Sequence, residues 1–260
     1  MKIQLYSDLH LEFQRFSVAQ HVAGDVLVLA GDIAPLPTHT YELKEFLVEC
    51  AFNYEKVIYV PGNHEYYHGD FSEVNDDILD LQEKFTNVHV LLDGNDFMYK
   101  DVTFIGGTMW TDLSNPMEEM AVTSCMNDFH IITNGYGYGN YRKVKFSGRD
   151  ATLLFNDTRK KIFDKLVIQD KRGWLDKTVV VTHHAPSFQS VHERFHGDSG
   201  NPGYCSNLDN HIALVPPKYW LHGHVHNTMN YMIETCNVRT NPRGYNGENR
   251  DFDAKFVLEV

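Results

Sequence analysis

Five short apolar runs recur along the chain, and side chains with metal-binding chemistry follow each of them directly. The runs cover residues 2–6, 25–30, 56–60, 177–182 and 219–221. Each run is rich in Val, Ile, Leu or Tyr and is bounded by Gly, Pro or Asp. This pattern predicts five buried β-strands.

Helical patterns separate several of these runs. Residues 41–52, 74–85 and 151–171 carry apolar side chains at helical spacing on one face. Strands that alternate with helices predict an α/β protein. In such sheets, sites form beyond the carboxyl ends of the strands. The polar residues after the five runs occupy that position, so we expect them to converge on one rim.

Shorter apolar segments predict further strands, at residues 88–92, 97–100, 102–105, 231–234, 238–240 and 255–260. A different stretch, residues 113–148, breaks the pattern, because residues 134–141 contain too many glycines for a regular element. We interpret 113–148 as a loop insertion in a single domain that spans residues 1–260.

The charge balance and the cysteines restrict the class of partner and the compartment. Lys and Arg number 23 against 35 Asp and Glu, a net charge of −12 that repels duplex nucleic acid. No apolar run approaches the roughly 20 residues of a membrane span, and the N-terminus lacks the features of a secretory signal. The four cysteines are far apart, as in proteins with reduced thiols. We therefore expect a cytoplasmic protein that binds neither duplex DNA nor a membrane.

The side chains after the five runs form a candidate metal-ligand set: Asp8, His10, Asp32, Asn63, His183, His224 and His226. On an extended strand end, Asp8 and His10 would face the same side. Oxygen and imidazole ligands without a thiolate favour Mn, Fe, Zn or Co over Cu(I) or an iron–sulfur cluster. A zinc site takes about four ligands, so this larger set suits two ions about 3.5–4 Å apart.

Five motifs therefore occur in order between residues 8 and 226: Asp-x-His, Gly-Asp, Gly-Asn-His-Glu, a single His and Gly-His-x-His. One Asp-x-His or one Gly-Asp alone would be explained by turn chemistry. The ordered set, with each member after a predicted strand, resembles the calcineurin-like metallophosphoesterase superfamily. The resemblance implies an α/β (α+β) fold in which a β-sandwich of two mixed sheets is flanked by helices.

The resemblance also divides the ligands between two ions that share Asp32: Asp8, His10 and His226 for one, and Asn63, His183 and His224 for the other. The ions would be divalent or trivalent Mn, Fe, Zn, Ni or Co, with manganese among the candidates. The oligomeric state is left open.

The implied reaction is hydrolysis of a phosphomonoester or phosphodiester, so that the protein would act as a phosphatase or phosphodiesterase on a small phosphorylated substrate, including a nucleotide. A hydroxide bridging the ions would attack phosphorus in line with the leaving oxygen. His64 would face the substrate and protonate the leaving group. Asp32 and His64 are the catalytic candidates.

Some assignments remain alternatives. His183 or His184 could be the ligand; His183 fits the pattern better, which leaves His184 beside the substrate. Asn63 and Tyr66 are further candidate substrate contacts, although Tyr66 could equally pack against the following helix. The Gly/Tyr-rich residues 134–141, with the basic residues after them, could cap the site or form a solvated hairpin. Residues 241–245 resemble a segment of one intracellular branch of the superfamily and could place Arg243 or Tyr245 near the site.

Two other functions compete with a small-molecule phosphoesterase. A nuclease of the DNA-repair branch shares the motifs, but the net charge of −12 disfavours it. A non-catalytic metal-binding scaffold shares the fold, but such members typically lose ligands or the motif histidine, whereas His64 and the full ligand set are present here.

Overall fold

The computed structural model of the chain describes residues 1–136 and 143–260. One sheet contains the strands β1 (Lys2–Tyr6), β2 (Val26–Ala30), β3 (Lys56–Val60), β4 (Val88–Val90) and β13 (Val257–Glu259). Their order is β13-β1-β2-β3-β4. The four strands β1 to β4 are parallel, and β13 pairs antiparallel to β1 at the edge.

A second sheet packs against the first. It contains β5 (Asn95–Tyr99), β6 (Val102–Gly107), β9 (Thr178–Thr182), β10 (Tyr219–Leu221), β11 (Asn230–Ile233) and β12 (Cys236–Arg239). The order is β11-β12-β10-β9-β6-β5. Its four inner strands are parallel, and β5 and β11 pair antiparallel at the two edges. Both sheets are therefore mixed, as the resemblance implied.

Helices and a small hairpin complete the described chain. The helices are α1 (Leu36–Asn53), α2 (Phe71–Gln82), α3 (Pro116–Cys125), α4 (Asp128–Ile131), α5 (Gly148–Arg172) and α6 (Asp209–Leu214). The hairpin pairs β7 (Thr133–Tyr136) with β8 (Lys143–Lys145). Both ends of the long helix α5 carry local sequence signals. A capping box joins Ser147 to Asp150 at its start, and Gly173, with φ of 68°, ends it.

Alternation along the strands builds a four-layer α/β/β/α architecture. In β2, Val26 and Val28 face the second sheet and share an apolar cluster with Val181 of β9. Leu27 and Leu29 point the other way, into a cluster covered by α1 and α2. The outer face of the second sheet packs against α5 and α6. The predicted fold class is confirmed.

The interpretation of residues 113–148 as a loop insertion needs correction. The stretch contains α3, α4 and the hairpin strands. Asn115 caps α3 by accepting a hydrogen bond from the backbone N–H of Met117, and Pro116 occupies the first turn. Both are ordinary helix-start signals, which the glycines further along obscured. Most of the Gly/Tyr-rich segment, together with Arg142, falls within 137–142, outside the described residues.

Within the described residues, none of the helices combines the length and apolar character that crossing a bilayer requires.

Candidate metal centre

Most of the predicted ligands occupy left-handed backbone conformations in tight turns after a strand. Their φ angles lie between 36° and 70°, at Asp8, His10, Asp32, His224 and His226. For residues other than glycine this conformation costs on the order of 1–3 kcal/mol and is concentrated at functional sites. The expectation that Asp8 and His10 lie on an extended strand end is therefore wrong. Turns beyond the strand ends, not alternation along a strand, direct these side chains inward.

Two glycines allow the ligands to approach one another. A Cβ atom on Gly31 would lie 2.2 Å from His183 Nδ1, and one on Gly62 would lie 2.1 Å from Asp32 Oδ1. Both separations are far shorter than any real carbon contact. The Gly-Asp and Gly-Asn motifs are thus explained by packing, since a side chain at either glycine would occupy the space of a ligand.

Asp8, His10, Asp32 and His226 form the first ligand group, with one donor atom from each lying within 4.8 Å of the others. The Nε2 atoms of His10 and His226 face each other at 3.1 Å. Asp8 Oδ1 lies 3.4 Å from His226 Nε2. This group is the one that the resemblance assigned to a single ion together with Asp32.

Two carboxylates fix the proton positions on these imidazoles. His10 Nδ1 lies 3.1 Å from Glu12 Oε1, and His226 Nδ1 lies 2.7 Å from Glu248 Oε2. A carboxylate only accepts hydrogen bonds, so both Nδ1 atoms donate. Both Nε2 lone pairs are then directed at the same point, an arrangement typical of metal-binding histidines.

The second ligand group consists of Asp32, His183, His224 and Asn63. His183 donates from Nδ1 to the Ala30 carbonyl oxygen at 2.8 Å. In the neutral ring, Nε2 then presents a lone pair to Asn63 Oδ1 at 2.9 Å and to Asp32 Oδ1 at 3.3 Å. Three acceptors that face one another repel unless a proton or a metal ion lies between them.

An orphaned ring nitrogen provides the clearest test of whether metal ions fit. His224 Nε2 is buried and has no hydrogen-bond partner. A buried polar atom without a partner costs about 1–3 kcal/mol. A cation shared with His183, Asn63 and Asp32 would satisfy this nitrogen and relieve the repulsion between the acceptors. The residues present therefore fit a metal centre with two adjoining positions that share Asp32.

The electrostatics of the centre also require positive charge. Burial alone would raise the pKa of Asp32, but the His183 and His64 imidazoles hold it well below its usual range. Burial alone would lower the pKa of His183, but the Asp32 carboxylate raises it to about 9. For His226, the bonds to Asp8 and Glu248 outweigh burial and raise the pKa to about 10. Without metal, protons on these rings supply the charge that the carboxylates need.

The amide of Asn63 is oriented by residues that sequence reasoning missed. Asn63 Nδ2 donates to Asp128 Oδ1 at 2.8 Å, which turns Asn63 Oδ1 toward His183. The Tyr67 hydroxyl donates to the same oxygen of Asp128 at 2.8 Å. Asp128 lies at the start of α4, far from any strand end, and no sequence signal marked it.

Glu65, the last residue of the Gly-Asn-His-Glu motif, braces the loops under the centre. Its carboxylate accepts hydrogen bonds from the backbone N–H groups of Asp32, Ile33 and Gly62 and from the Tyr59 hydroxyl, at 2.7–3.0 Å. It is fully buried, so its contribution is to hold the second and third motifs in register. The motif alone did not predict this role for Glu65.

His64 lies beside the ligand groups. Its backbone N–H donates to Asp32 Oδ1 at 2.9 Å, and its Nδ1 donates to Glu12 Oε1 at 2.9 Å. Its ring stacks on Tyr67, with the centroids 4.1 Å apart. Burial lowers its pKa, but the Asp32 carboxylate and the bond to Glu12 outweigh burial and raise it above the usual value. His64 thus lines the pocket in surroundings that favour its protonated form.

Two predicted substrate contacts are placed elsewhere. Tyr66 is buried, stacks on Phe71 and donates its hydroxyl hydrogen to Asn75. His184 is also buried, and its Nδ1 lies 3.2 Å from the Thr108 carbonyl oxygen. Neither side chain lines the pocket. Both predictions are corrected: successive residues point in different directions here, so His183 enters the ligand group and His184 packs behind it.

An open pocket of about 450 Å³ adjoins the centre. Asp32, Asn63, His64 and His224 line one side of it. Tyr245, from the 241–245 segment, also lines the pocket, and its ring lies 4.6 Å from that of His10. Arg243 does not line it. It donates to backbone carbonyl oxygens of residues 9, 14 and 15 and so holds the loop after β1, which carries Asp8 and His10.

Comparison with known proteins agrees with this geometry. A family model for calcineurin-like phosphoesterases matches residues 1–228. The chain belongs to this family. The predicted family is confirmed, and the chain is a metal-dependent phosphoesterase with buried His and Asp clusters of the kind that hold two ions.

Curated relatives extend over different lengths of the chain. An uncharacterized protein of Acanthamoeba polyphaga mimivirus is 25% identical over 289 aligned positions, which cover 100% of this chain and 97% of the viral protein. An uncharacterized metallophosphoesterase of Campylobacter jejuni is 35% identical over 85 residues, or 32% of this chain and 21% of the relative.

Solved structures share the fold at low sequence identity. Phosphopantetheinyl hydrolase from Mycobacterium tuberculosis aligns with a TM-score of 0.69 and 16% identity over 95% of this chain and 90% of that chain. GAP50, the anchor in the inner membrane complex of Plasmodium, aligns with a TM-score of 0.51 and 13% identity over 99% of this chain and 77% of that chain. These similarities concern the architecture alone.

Proposed function

We propose that the protein hydrolyses a phosphomonoester or phosphodiester bond of a small organic phosphate with the help of two metal ions. The observation that carries this proposal is the shared carboxylate of Asp32, which lies between two groups of inward-facing nitrogen and oxygen atoms. The pocket beside Asp32 has room for an organic substrate, since small-molecule sites occupy about 300–1,000 Å³.

Asp8, His10 and His226 would hold one ion, and Asn63, His183 and His224 the other, with Asp32 common to both. Bound ions would polarise the phosphoryl oxygens and lower the pKa of a water molecule. Mn, Fe, Zn, Ni and Co all suit this mixture of oxygen and imidazole ligands.

His64 is the group we assign to the leaving oxygen. Its Nδ1 is held by Glu12, so its Nε2, which lies 3.4 Å from the Tyr245 hydroxyl, is the atom that would deliver a proton into the pocket. The Asp32 and Glu12 carboxylates favour the protonated ring, so His64 would act as a general acid. The Tyr67 ring beneath it restricts its rotation.

A small substrate fits better than duplex nucleic acid. The net charge is −12, and Arg194 is the only Lys or Arg among the described residues that line the pocket. A protein that binds the duplex backbone needs several basic contacts.

The test is hydrolysis of p-nitrophenyl phosphate and bis(p-nitrophenyl) phosphate by protein stripped of metal and reloaded with each of the five metals. We expect turnover only after reloading. His64→Asn should lower kcat by about 100-fold or more, because general acid catalysis alone contributes about 10²–10⁴-fold. Asp32→Asn should lower kcat at least as much, because it removes the carboxylate that both ligand groups share. His130→Gln, an exposed histidine outside the pocket, is the control. Undiminished turnover in metal-free protein would contradict the proposal.

A further inference from the structure

The segment that follows β9 also lines the pocket, and the Tyr204 ring of this segment stacks on His224, with the centroids 4.6 Å apart. Val191, Arg194, Phe195 and Tyr204 of this segment line the same cavity as Asp32 and His224. The cavity of about 450 Å³ is larger than a phosphoryl group alone requires. The rest of the cavity, which includes Arg194, therefore has room for a part of the substrate other than the phosphoryl group that is cleaved.

The direct contacts of the exposed Arg194 guanidinium are to neutral groups, and the Glu248 carboxylate interacts with its charge from more than 4 Å away. Its guanidinium lies over the Phe195 ring, 4.5 Å from the centroid. One of its terminal nitrogens, Nη2, donates to Asn227 Oδ1 at 3.4 Å. Among residues 1–136 and 143–260, no carboxylate lies within 4 Å of Arg194. Its remaining N–H donors are available to the pocket.

Arg194 is a basic side chain in a pocket whose other charged lining residues include three carboxylates. Carboxylates of Asp32, Asp198 and Glu248 line the cavity, and no other Lys or Arg of the described chain does so. Asp198 and Glu248 would repel a second negative group on a substrate, whereas Arg194 would attract it. A guanidinium can also bind a phosphate through two parallel hydrogen bonds.

We propose that Arg194 binds a second phosphate group of the substrate, so that the substrate class is organic phosphoesters carrying two separated phosphates. This inference rests on the proposed function and adds the recognition of the group that is not cleaved. Stacking on Phe195 and the bond to Asn227 hold the guanidinium in place before the substrate arrives, which reduces the entropy lost on binding.

The test compares adenosine 3′,5′-bisphosphate with adenosine 5′-monophosphate and adenosine 3′-monophosphate, using metal-loaded protein and phosphate release as the signal. We expect the wild-type kcat/KM for the bisphosphate to exceed that for the faster of the two monophosphates by about 10- to 100-fold, the range of a charge-assisted hydrogen bond. In Arg194→Ala this ratio should fall to about 1–2, and Arg194→Lys should retain part of it. The two scissile phosphates of the bisphosphate account for a ratio of up to about 2 without any recognition.

The matched control is Arg172→Ala. Arg172 also lies over an aromatic ring, that of Trp174 at 5.7 Å, but it does not line the pocket. The ratio of kcat/KM for the bisphosphate to that for the monophosphate should be the same in Arg172→Ala as in the wild type. A wild-type ratio near 1, or a ratio unchanged in Arg194→Ala, overturns the assignment of Arg194 while p-nitrophenyl phosphate is still hydrolysed. Failure of the metal-loaded protein on every phosphoester would instead contradict the proposed function, and the assignment with it.

Discussion

At the scale of single residues, the carboxylates behind the ligands matter as much as the ligands. Glu12 contacts both His10 and His64 through one oxygen, Oε1. Asp128 orients Asn63, and Glu248 orients His226. Partners of this kind fix ring orientation and tautomer. Each of these three carboxylates therefore helps to set the geometry in which the candidate ligands would hold an ion.

Asp128→Ala should lower the affinity for one of two ions by about 10- to 100-fold, the usual effect of removing such a partner. The physical reason is that the Asn63 amide would be free to rotate its oxygen away from His183. Metal titration of the stripped protein by calorimetry measures this loss. Tyr67→Phe removes the hydroxyl that contacts Asp128 and Asn63 but keeps the Asn63–Asp128 bond, so it should lose less affinity than Asp128→Ala. Equal affinities in Asp128→Ala and wild type would exclude the orienting role.

Glu12→Ala should lower kcat for p-nitrophenyl phosphate by about 10- to 100-fold, because the His10 and His64 rings both lose the acceptor that orients them. Glu12→Gln keeps a carbonyl acceptor and should lose less. The comparison of kcat between the two variants is the measurement. If Ala and Gln behave alike, the negative charge of Glu12, and not its geometry as an acceptor, is the property that matters.

The seven candidate ligands could be selected from the sequence because each lies within five residues after an apolar run. The sequence could not predict Asp128 or Glu248, since each reaches the site through a tertiary contact. Tyr66 shows the limit of reasoning from neighbours. It follows the Gly-Asn-His-Glu motif directly, yet its ring packs in the core, and the adjacent Tyr67 lines the pocket instead.

At the scale of elements, the strands bring the candidate ligands to one rim, and the turns after the strands direct their side chains inward. Periodicity predicted β1, β2, β3, β9 and β10 to within a residue or so, because buried strands have a distinctive composition. It could not predict the left-handed turns that follow, because Asp and His have no strong preference for them. Such turns are held by contacts between loops, such as the bond from the Asp8 N–H to the Gly31 carbonyl oxygen at 2.9 Å.

Gly31→Ala tests the packing of these turns, with Gly197→Ala as its control. Both glycines have left-handed φ angles, +87° and +84°, so both substitutions add similar backbone strain. Only at Gly31 would the new Cβ meet a ligand, His183, whereas Gly197 has open space around it. We expect Gly31→Ala to lose metal binding and several kcal/mol of stability, and Gly197→Ala to lose about 1 kcal/mol. Denaturant melts with equal losses would contradict this explanation.

At the scale of the whole molecule, ion binding and folding should be linked. The ligand groups bring together carboxylates and unpaired ring nitrogens that the folded chain stabilises poorly alone. Stripping the metals should therefore lower Tm, and Mn²⁺ should restore it in a concentration-dependent way, with about 2.7 kcal/mol gained at 100 times Kd. A Tm independent of metal and chelator would contradict this linkage.

Acid should destabilise the metal-free protein through two buried histidines that are not ligands. Burial lowers the pKa of His184 to about 3 and that of His222 to about 4. Below pH 6.5 the unfolded chain binds protons at these rings and the folded chain does not, so stability falls as pH falls. Each ring contributes up to about 1.4 kcal/mol per pH unit. Denaturant melts at pH 7 and pH 5 should show a smaller loss in His222→Asn than in wild type, and identical losses would refute the assignment.

The most direct test of the central claim is an anomalous diffraction map of crystals grown with Mn²⁺. We predict two peaks about 3.5–4 Å apart on either side of Asp32. One peak should contact Asp8, His10 and His226, and the other should contact Asn63, His183 and His224. A single peak, or peaks away from Asp32 at saturating Mn²⁺, would contradict a two-metal phosphoesterase.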